Sequence, residues 1–265
     1  MSSAFVFGCL LLVSTVTPKS QHVVINEPAK TATDRTYFRL GEKMITIYTL
    51  SQEVERSFVI VSLHSDEYTA LNASQEFVEQ NGGKMVYLEN SLEHNLRFEF
   101  LNKQYSVDPN KIFTTKGRSD GLKSGPYKNQ LAIEMQRFAD YLFETIPHDK
   151  HVIGVHNYVD VKKSIKSFKG RKMVRKLKEV HKSEWKDEND FFITTNEEVF
   201  KQLAARDFNV VLQYSPVIRD DGSLSIAVER NRRYYIDLIV QTGHHEEQKQ
   251  MLAAVTDILD KLSNN

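Results

Sequence analysis

Residues Ser57 to Ala70 read SFVIVSLHSDEYTA. The first seven, SFVIVSL, form a continuous apolar and β-branched run, the pattern of a strand buried on both faces. The run breaks at His64-Ser65-Asp66-Glu67. A helical pattern follows over Thr69 to Asn81, with Ala70, Ala73, Phe77 and Val78 on one side and Gly82-Gly83 as its stop. This order of strand, polar turn and helix puts the turn at a strand's carboxyl end, where α/β sheets gather their functional groups.

The rest of the chain extends the alternation. Lys84 to Leu88 reads as a strand, and Arg97 to Phe100 with Gln104 to Val107 as a hairpin around Leu101-Asn102-Lys103. Gln130 to Ile146 has helical spacing, with Leu131, Met135, Phe138 and Leu142 sharing a face before Pro147. Val152 to Val155 is a second compact apolar strand, and it runs into His156. Phe208 to Tyr214 and Leu224 to Val228 read as strands on either side of Asp220-Asp221-Gly222. Tyr234 to Val240 reads as another strand, and Glu246 to Leu262 as a closing amphipathic helix. Buried strands alternating with helices predict an α/β fold, a three-layer sandwich with a mixed central β-sheet flanked by helices. With 265 residues, 40% of them apolar, and no internal repeat, the chain suits a single domain over residues 21–265.

Ala4 to Val16 is an apolar run of signal-peptide length, too short to span a bilayer, and polar sequence follows at Thr17. Residues 1–20 are therefore expected to be a signal peptide, which makes the protein secreted or periplasmic. An apolar N-terminal strand or anchor is the alternative. Cys9 is the one cysteine, so no intrachain disulfide forms. The 35 basic and 35 acidic residues balance, which gives no case for specific nucleic-acid binding. Charge is nonetheless uneven. Lys162 to Lys182 holds ten Lys/Arg against Glu179 alone, and Met173, Leu177 and Val180 give its second half helical spacing. This segment is either a solvated loop or a contact for an anionic surface or polymer.

Two of the clearest strands thus end in histidine. Catalytic zinc takes three protein ligands, often two His and one Glu, and leaves a fourth position for water. His64 and Glu67 offer an imidazole and a carboxylate from one turn, and His156 can reach in from another strand end. Asp66 competes with Glu67, and spacing does not choose between them. His244-His245 beside Glu246 and Glu247 is a further pairing, read as the solvated start of the last helix. Asn72-Ala73-Ser74 matches a glycosylation signal but falls inside a helix.

VSLHSDEYTA resembles the first metal motif of the zinc carboxypeptidases, an H-x-x-E after a buried strand. Asp108-Pro109-Asn110-Lys111 resembles their D-x-N-R motif, and Asp108 to Phe113 (DPNKIF) is similar to the D-x-N-R-x-F of the succinylglutamate desuccinylases and aspartoacylases. Gly154-Val155-His156-Asn157-Tyr158 is similar to the strand-end H-x-Y that supplies the third ligand. The motifs stand in the family's order over roughly Ser57 to Val161. The resemblance implies Zn2+ held by His64, Glu67 and His156, and a substrate carboxylate held by Asn110 and Lys111. Arg97 is implied as partner of the developing oxyanion.

Two departures stand out. Lys111 replaces an arginine, a point charge in place of a planar fork. The family's late-strand catalytic glutamate aligns with Ile239, and the strand's one carboxylate is Asp237, which stands in as catalytic candidate. The expected function is a secreted zinc-dependent hydrolase of amide bonds, acting on a peptide or acyl-amino acid. The alternatives are a degenerate relative that binds such a ligand without turnover, and an interaction module acting through residues 162–182.

Overall fold

The computed structural model describes residues 31–89, 93–158, 164–169, 177–213 and 220–263. The predicted signal peptide and parts of the basic segment lie outside them. Twelve strands and six α-helices are present among the described residues. The strands are β1 (Ala32–Leu40), β2 (Lys43–Ser51), β3 (Phe58–Ser62), β4 (Lys84–Glu89), β5 (Leu96–Phe100) and β6 (Lys103–Val107), then β7 (Leu122–Ser124), β8 (His151–Tyr158), β9 (Leu177–His181), β10 (Phe191–Thr194), β11 (Val210–Gln213) and β12 (Tyr235–Gln241). The helices are α1 (Tyr68–Asn81), α2 (Thr115–Asp120), α3 (Asn129–Thr145), α4 (Glu197–Ala205), α5 (Leu224–Arg230) and α6 (His245–Ser263).

Nine strands form one mixed sheet in the order β1-β2-β4-β3-β8-β12-β10-β11-β9, and β5-β6-β7 form a small separate sheet. The centre is parallel, with β4, β3, β8 and β12 side by side, while β2 and β10 join it antiparallel. Every residue of β3 is buried, as its unbroken apolar run requires. Successive side chains go to opposite layers. Val59 and Val61 join Val152, Tyr235 and the apolar face of α3, whereas Phe58 and Ile60 join Ile153, Ile236 and the faces of α1, α4 and α6. The predicted three-layer α/β sandwich is therefore present.

Two predicted elements differ. Leu224–Val228 is not a strand but the core of α5. Its apolar residues alternate, and over so short a segment that pattern fits either element. The surroundings decide: the side chain of Asn110 accepts a hydrogen bond from the first helical N–H, Leu224 N, at 3.0 Å, and Gly222 turns the chain into the helix at φ +80°. Leu177 and Val180, expected on a helix, lie in β9, where Val180 pairs with Val211 of β11. Tertiary pairing overrides a weak helical period. The β1–β2 ribbon is not announced in the sequence, because β1 is exposed along most of its length. No described helix is long and apolar enough to cross a membrane.

Candidate metal centre

β3 delivers His64 two residues beyond its end, and the chain then tightens so that Glu67 N donates to His64 O at 3.3 Å. Glu67 is the N-cap residue of α1, yet its carboxylate makes no capping bond. It turns back towards the imidazoles. His156 arrives from β8, a parallel neighbour of β3. The next residue, Asn157, points to the opposite layer and fixes the arrangement. Its Oδ1 accepts from Ala70 N in the first turn of α1 at 3.0 Å, and its Nδ2 donates to Thr242 just past β12 at 2.8 Å. One buried amide thus ties the α1 start, and with it Glu67, to the strand that carries His156. The sequence reading missed this residue.

The three side chains converge. Glu67 Oε2 lies 3.0 Å from His156 Nδ1, and Glu67 Oε1 lies 3.3 Å from His64 Nδ1. One ligand atom from each residue falls within 4.8 Å of the others, and all three residues are buried. Tetrahedral zinc with ~2.0–2.1 Å bonds separates its ligand atoms by about 3.3 Å, which the His64–Glu67 distance matches, while His156 and Glu67 stand at hydrogen-bond distance. His64 Nδ1 and Glu67 Oε1 have no hydrogen-bond partner despite being buried. Native interiors rarely leave two such atoms orphaned side by side, and a cation between them satisfies both. The residues present fit a divalent metal.

The outward-facing imidazole nitrogens are backed by carboxylates. His64 Nε2 meets Asp108 Oδ1 at 3.0 Å, and His156 Nε2 meets Asp237 Oδ1 at 3.5 Å. Such partners set the tautomer that leaves Nδ1 free to ligate. Asp237 is itself held by the Tyr235 hydroxyl at 2.9 Å. That hydroxyl needs the missing side chain of Gly154, since a Cβ there would lie 2.1 Å from it.

Charge agrees with geometry. Burial raises the Glu67 carboxyl, but His156 and His64 outweigh it and hold the group down to about 2. Burial likewise raises Asp108, and His64 with the Asn110 N–H brings it down to about 2. For His156, burial lowers the value and is overcome by Glu67 and Asp237, which take it up to about 10. Without an ion the imidazoles are the counter-charge of Glu67 and Asp108, and a divalent cation at the same point would take over that part.

The remaining predicted site residues have other surroundings. Asp66 points at His94 at 3.2 Å, and the His94 ring stacks on His64 with centroids 3.9 Å apart. The carboxylate in the centre is therefore Glu67. Arg97 of β5, 71% exposed, lies 3.5 Å from Glu93. Lys111 pairs with Asp221, and Asn110 caps α5. Ile239 stands beside His156 in the β12–β8 register and packs with Ile165, Phe191 and Val211. Glu246 sits in the first turn of α6 and pairs with Lys249. His244 pairs with Asp190 at 2.7 Å and His245 with Glu76 at 3.1 Å. In the basic segment, Lys166 pairs with Glu188 and Lys178 with Glu197.

Among solved structures, thrombin activatable fibrinolysis inhibitor (TAFI) aligns with a TM-score of 0.50 over 87% of this chain and 72% of that one, at 12% identity. The fold is zinc carboxypeptidase-like. Lower-scoring matches include a provisionally assigned metallopeptidase from Shewanella amazonensis SB2B (TM-score 0.44, 11% identity, 87% of this chain and 86% of that one). A succinylglutamate desuccinylase/aspartoacylase from Rhodobacter sphaeroides also matches (TM-score 0.45, 9% identity, 87% and 65%). No protein-family model matches the chain, and no curated protein matches it in sequence. In this carboxypeptidase-like fold, His64, Glu67 and His156 form a group that can hold a metal ion.

Proposed function

We propose that the chain is a zinc-dependent hydrolase of amide bonds, acting on a peptide or an acyl-amino acid. One observation carries the reading: two imidazole Nδ1 atoms and a carboxylate face one point, with both imidazoles backed by further carboxylates. Three protein ligands leave room for a reacting group, whereas a purely structural site closes with four. Zinc in such a site acts as a Lewis acid on the scissile carbonyl and makes water nucleophilic at neutral pH.

The chain's own residues divide the remaining work. Asp108 and Asp237 orient the two imidazoles. The apolar packing of Ile239 keeps bulk water off the His156 side of the centre. No carboxylate stands at Ile239 to take a proton, and losing a general base costs about 10²–10⁴-fold in rate. Turnover is expected to be slow for the class. Secretion belongs to the same proposal and rests on the apolar run at the N-terminus.

Zinc stoichiometry of the purified protein and of His64→Ala tests the metal. Chelator-sensitive release of amino acids from peptides and N-acyl amino acids tests the chemistry. Metal-free protein after zinc reconstitution would end both claims. A second reading is favoured by Ile239 and by the ion pair at Lys111, namely a metal-holding protein that binds such ligands without turnover. Full zinc occupancy with no chelator-sensitive release, and no gain in Ile239→Glu, selects it.

A further inference from the structure

The cation that the sequence offers for a substrate carboxylate already holds a carboxylate of the chain itself. Lys111 Nζ pairs with Asp221 Oδ2, and Asp221 Oδ1 accepts from Ser223 N at 3.1 Å. The adjacent Asn110 is engaged by the same loop, its Oδ1 accepting from Leu224 N at 3.0 Å.

The loop is bolted to the Asp108–Thr114 segment and does not merely rest on it. Phe113 N donates to Gly222 O at 3.0 Å, and Thr114 Oγ1 donates to Asp220 Oδ1 at 2.7 Å. Arg230 closes the far side of Asp220 at 2.6 Å. Gly222 and Gly117 meet backbone to backbone. A Cβ on Gly222 would lie 2.2 Å from Gly117 Cα and 2.4 Å from Lys111 O. Asp221 is thus presented to Lys111 by a rigid support joined to the motif through several independent contacts. Lys123 lies 3.9 Å from Asp108, and the buried Arg118 directs its guanidinium to Ile112 O, Thr115 Oγ1 and Gln136 Oε1.

We propose that Asp221 is a specificity-determining residue that occupies the carboxylate-binding position at Asn110-Lys111, so that the site takes amide substrates whose far end is uncharged and rejects a free terminal carboxylate. The inference rests on the hydrolase reading for the word substrate, but the occupied position is a property of binding alone. An incoming carboxylate must displace Asp221 or share Lys111 with it, and like charges at one ammonium oppose each other. Asparagine at position 221 keeps the bond from Ser223 N and removes the competing charge.

Two probes differing only at the end group, N-benzoylglycine and its primary amide, are titrated calorimetrically into wild type, Asp221→Asn and the double variant Asp221→Asn/Lys111→Met. Both zinc-loaded and metal-free protein are used. Wild type is expected to bind the amide at least as well as the acid. Asp221→Asn gains about tenfold for the acid, the size of one charge-assisted hydrogen bond, with the amide unchanged, and the double variant loses the gain. Wild type favouring the acid overturns the inference, as does an Asp221→Asn protein of wild-type circular dichroism with no gain. The hydrolase reading fails separately: binding shifts without chelator-sensitive turnover leave the role of Asp221 standing and remove the enzyme.

Discussion

Replacing Asp108 with asparagine tests the metal centre without touching a ligand atom. Oδ1 of Asp108 lies 3.0 Å from His64 Nε2 and 2.9 Å from the N–H of Asn110. Asparagine keeps an acceptor for Asn110 but removes the charge that holds the proton on Nε2 and makes Nδ1 the more basic nitrogen. Carboxylates behind ligating imidazoles are worth about 10–100-fold in metal affinity, or about 1.4–2.7 kcal/mol. Asp108 is only 8% exposed, so water is poorly placed to replace it and the upper half of that range is expected. Competition of zinc between the protein and a chromophoric chelator near neutral pH reads the shift directly. Stability reports it independently: at fixed excess zinc the variant loses the same ~1.4–2.7 kcal/mol of metal-conferred stability in a denaturant titration. Asp66→Asn serves as control, because that carboxylate meets His94 and none of the ligands. Its zinc affinity stays within about twofold of wild type. Equal affinity in Asp108→Asn and wild type, or an equal loss at Asp66, would refute the assignment of this centre.

Asn157→Ala strands the buried Ala70 N–H and frees the α1 start from β8. It is expected to cost about 1–3 kcal/mol by denaturant unfolding of the metal-free protein, and to weaken zinc as well. Gly222→Ala forces a Cβ into the Gly117 backbone, and should cost more than about 3 kcal/mol or prevent folding, whereas Gly243→Ala, also at a positive φ but with nothing within 4 Å, should cost only the backbone strain of about 1–2 kcal/mol. His151, stacked on Tyr234 away from the metal, has its pKa lowered by burial and by Arg233. Its neutral form is the folded one, so its contribution is fully present above the usual histidine value of ~6.5 and is lost as pH falls below it. Unfolding midpoints should drop less on acidification in His151→Phe than in wild type.

What could be read beforehand followed from local pattern. SFVIVSL has no periodicity other than burial, and β3 is buried at every residue. The polar break after it fell at the strand's carboxyl end, which located His64 and a carboxylate beside it, and the resemblance to the zinc carboxypeptidases pointed to Glu67 over Asp66. His156 was found for the same reason, although β8 continues two residues beyond it. Asn157 and Gly154 escaped, and Asp237 reads in the sequence as a catalytic candidate and not as the partner of His156, because these roles depend on which strands lie side by side and on which layer each residue faces. Leu224–Val228 failed on length, since five alternating residues do not distinguish a strand from a short helix capped by a side chain from far along the chain. The pairing of Lys111 with Asp221 was invisible for the same cause: 110 positions separate them.

His156 and Glu67 touch although 89 positions separate them along the chain. A polypeptide still emerging from the ribosome, with β3 and α1 made but β8 not yet available, holds two of the three ligands and encloses nothing. Asp237 comes later still, on the penultimate element. An ion held by all three would therefore be taken up only after the central strands close, and in a pulse-labelling experiment its uptake would time the end of folding.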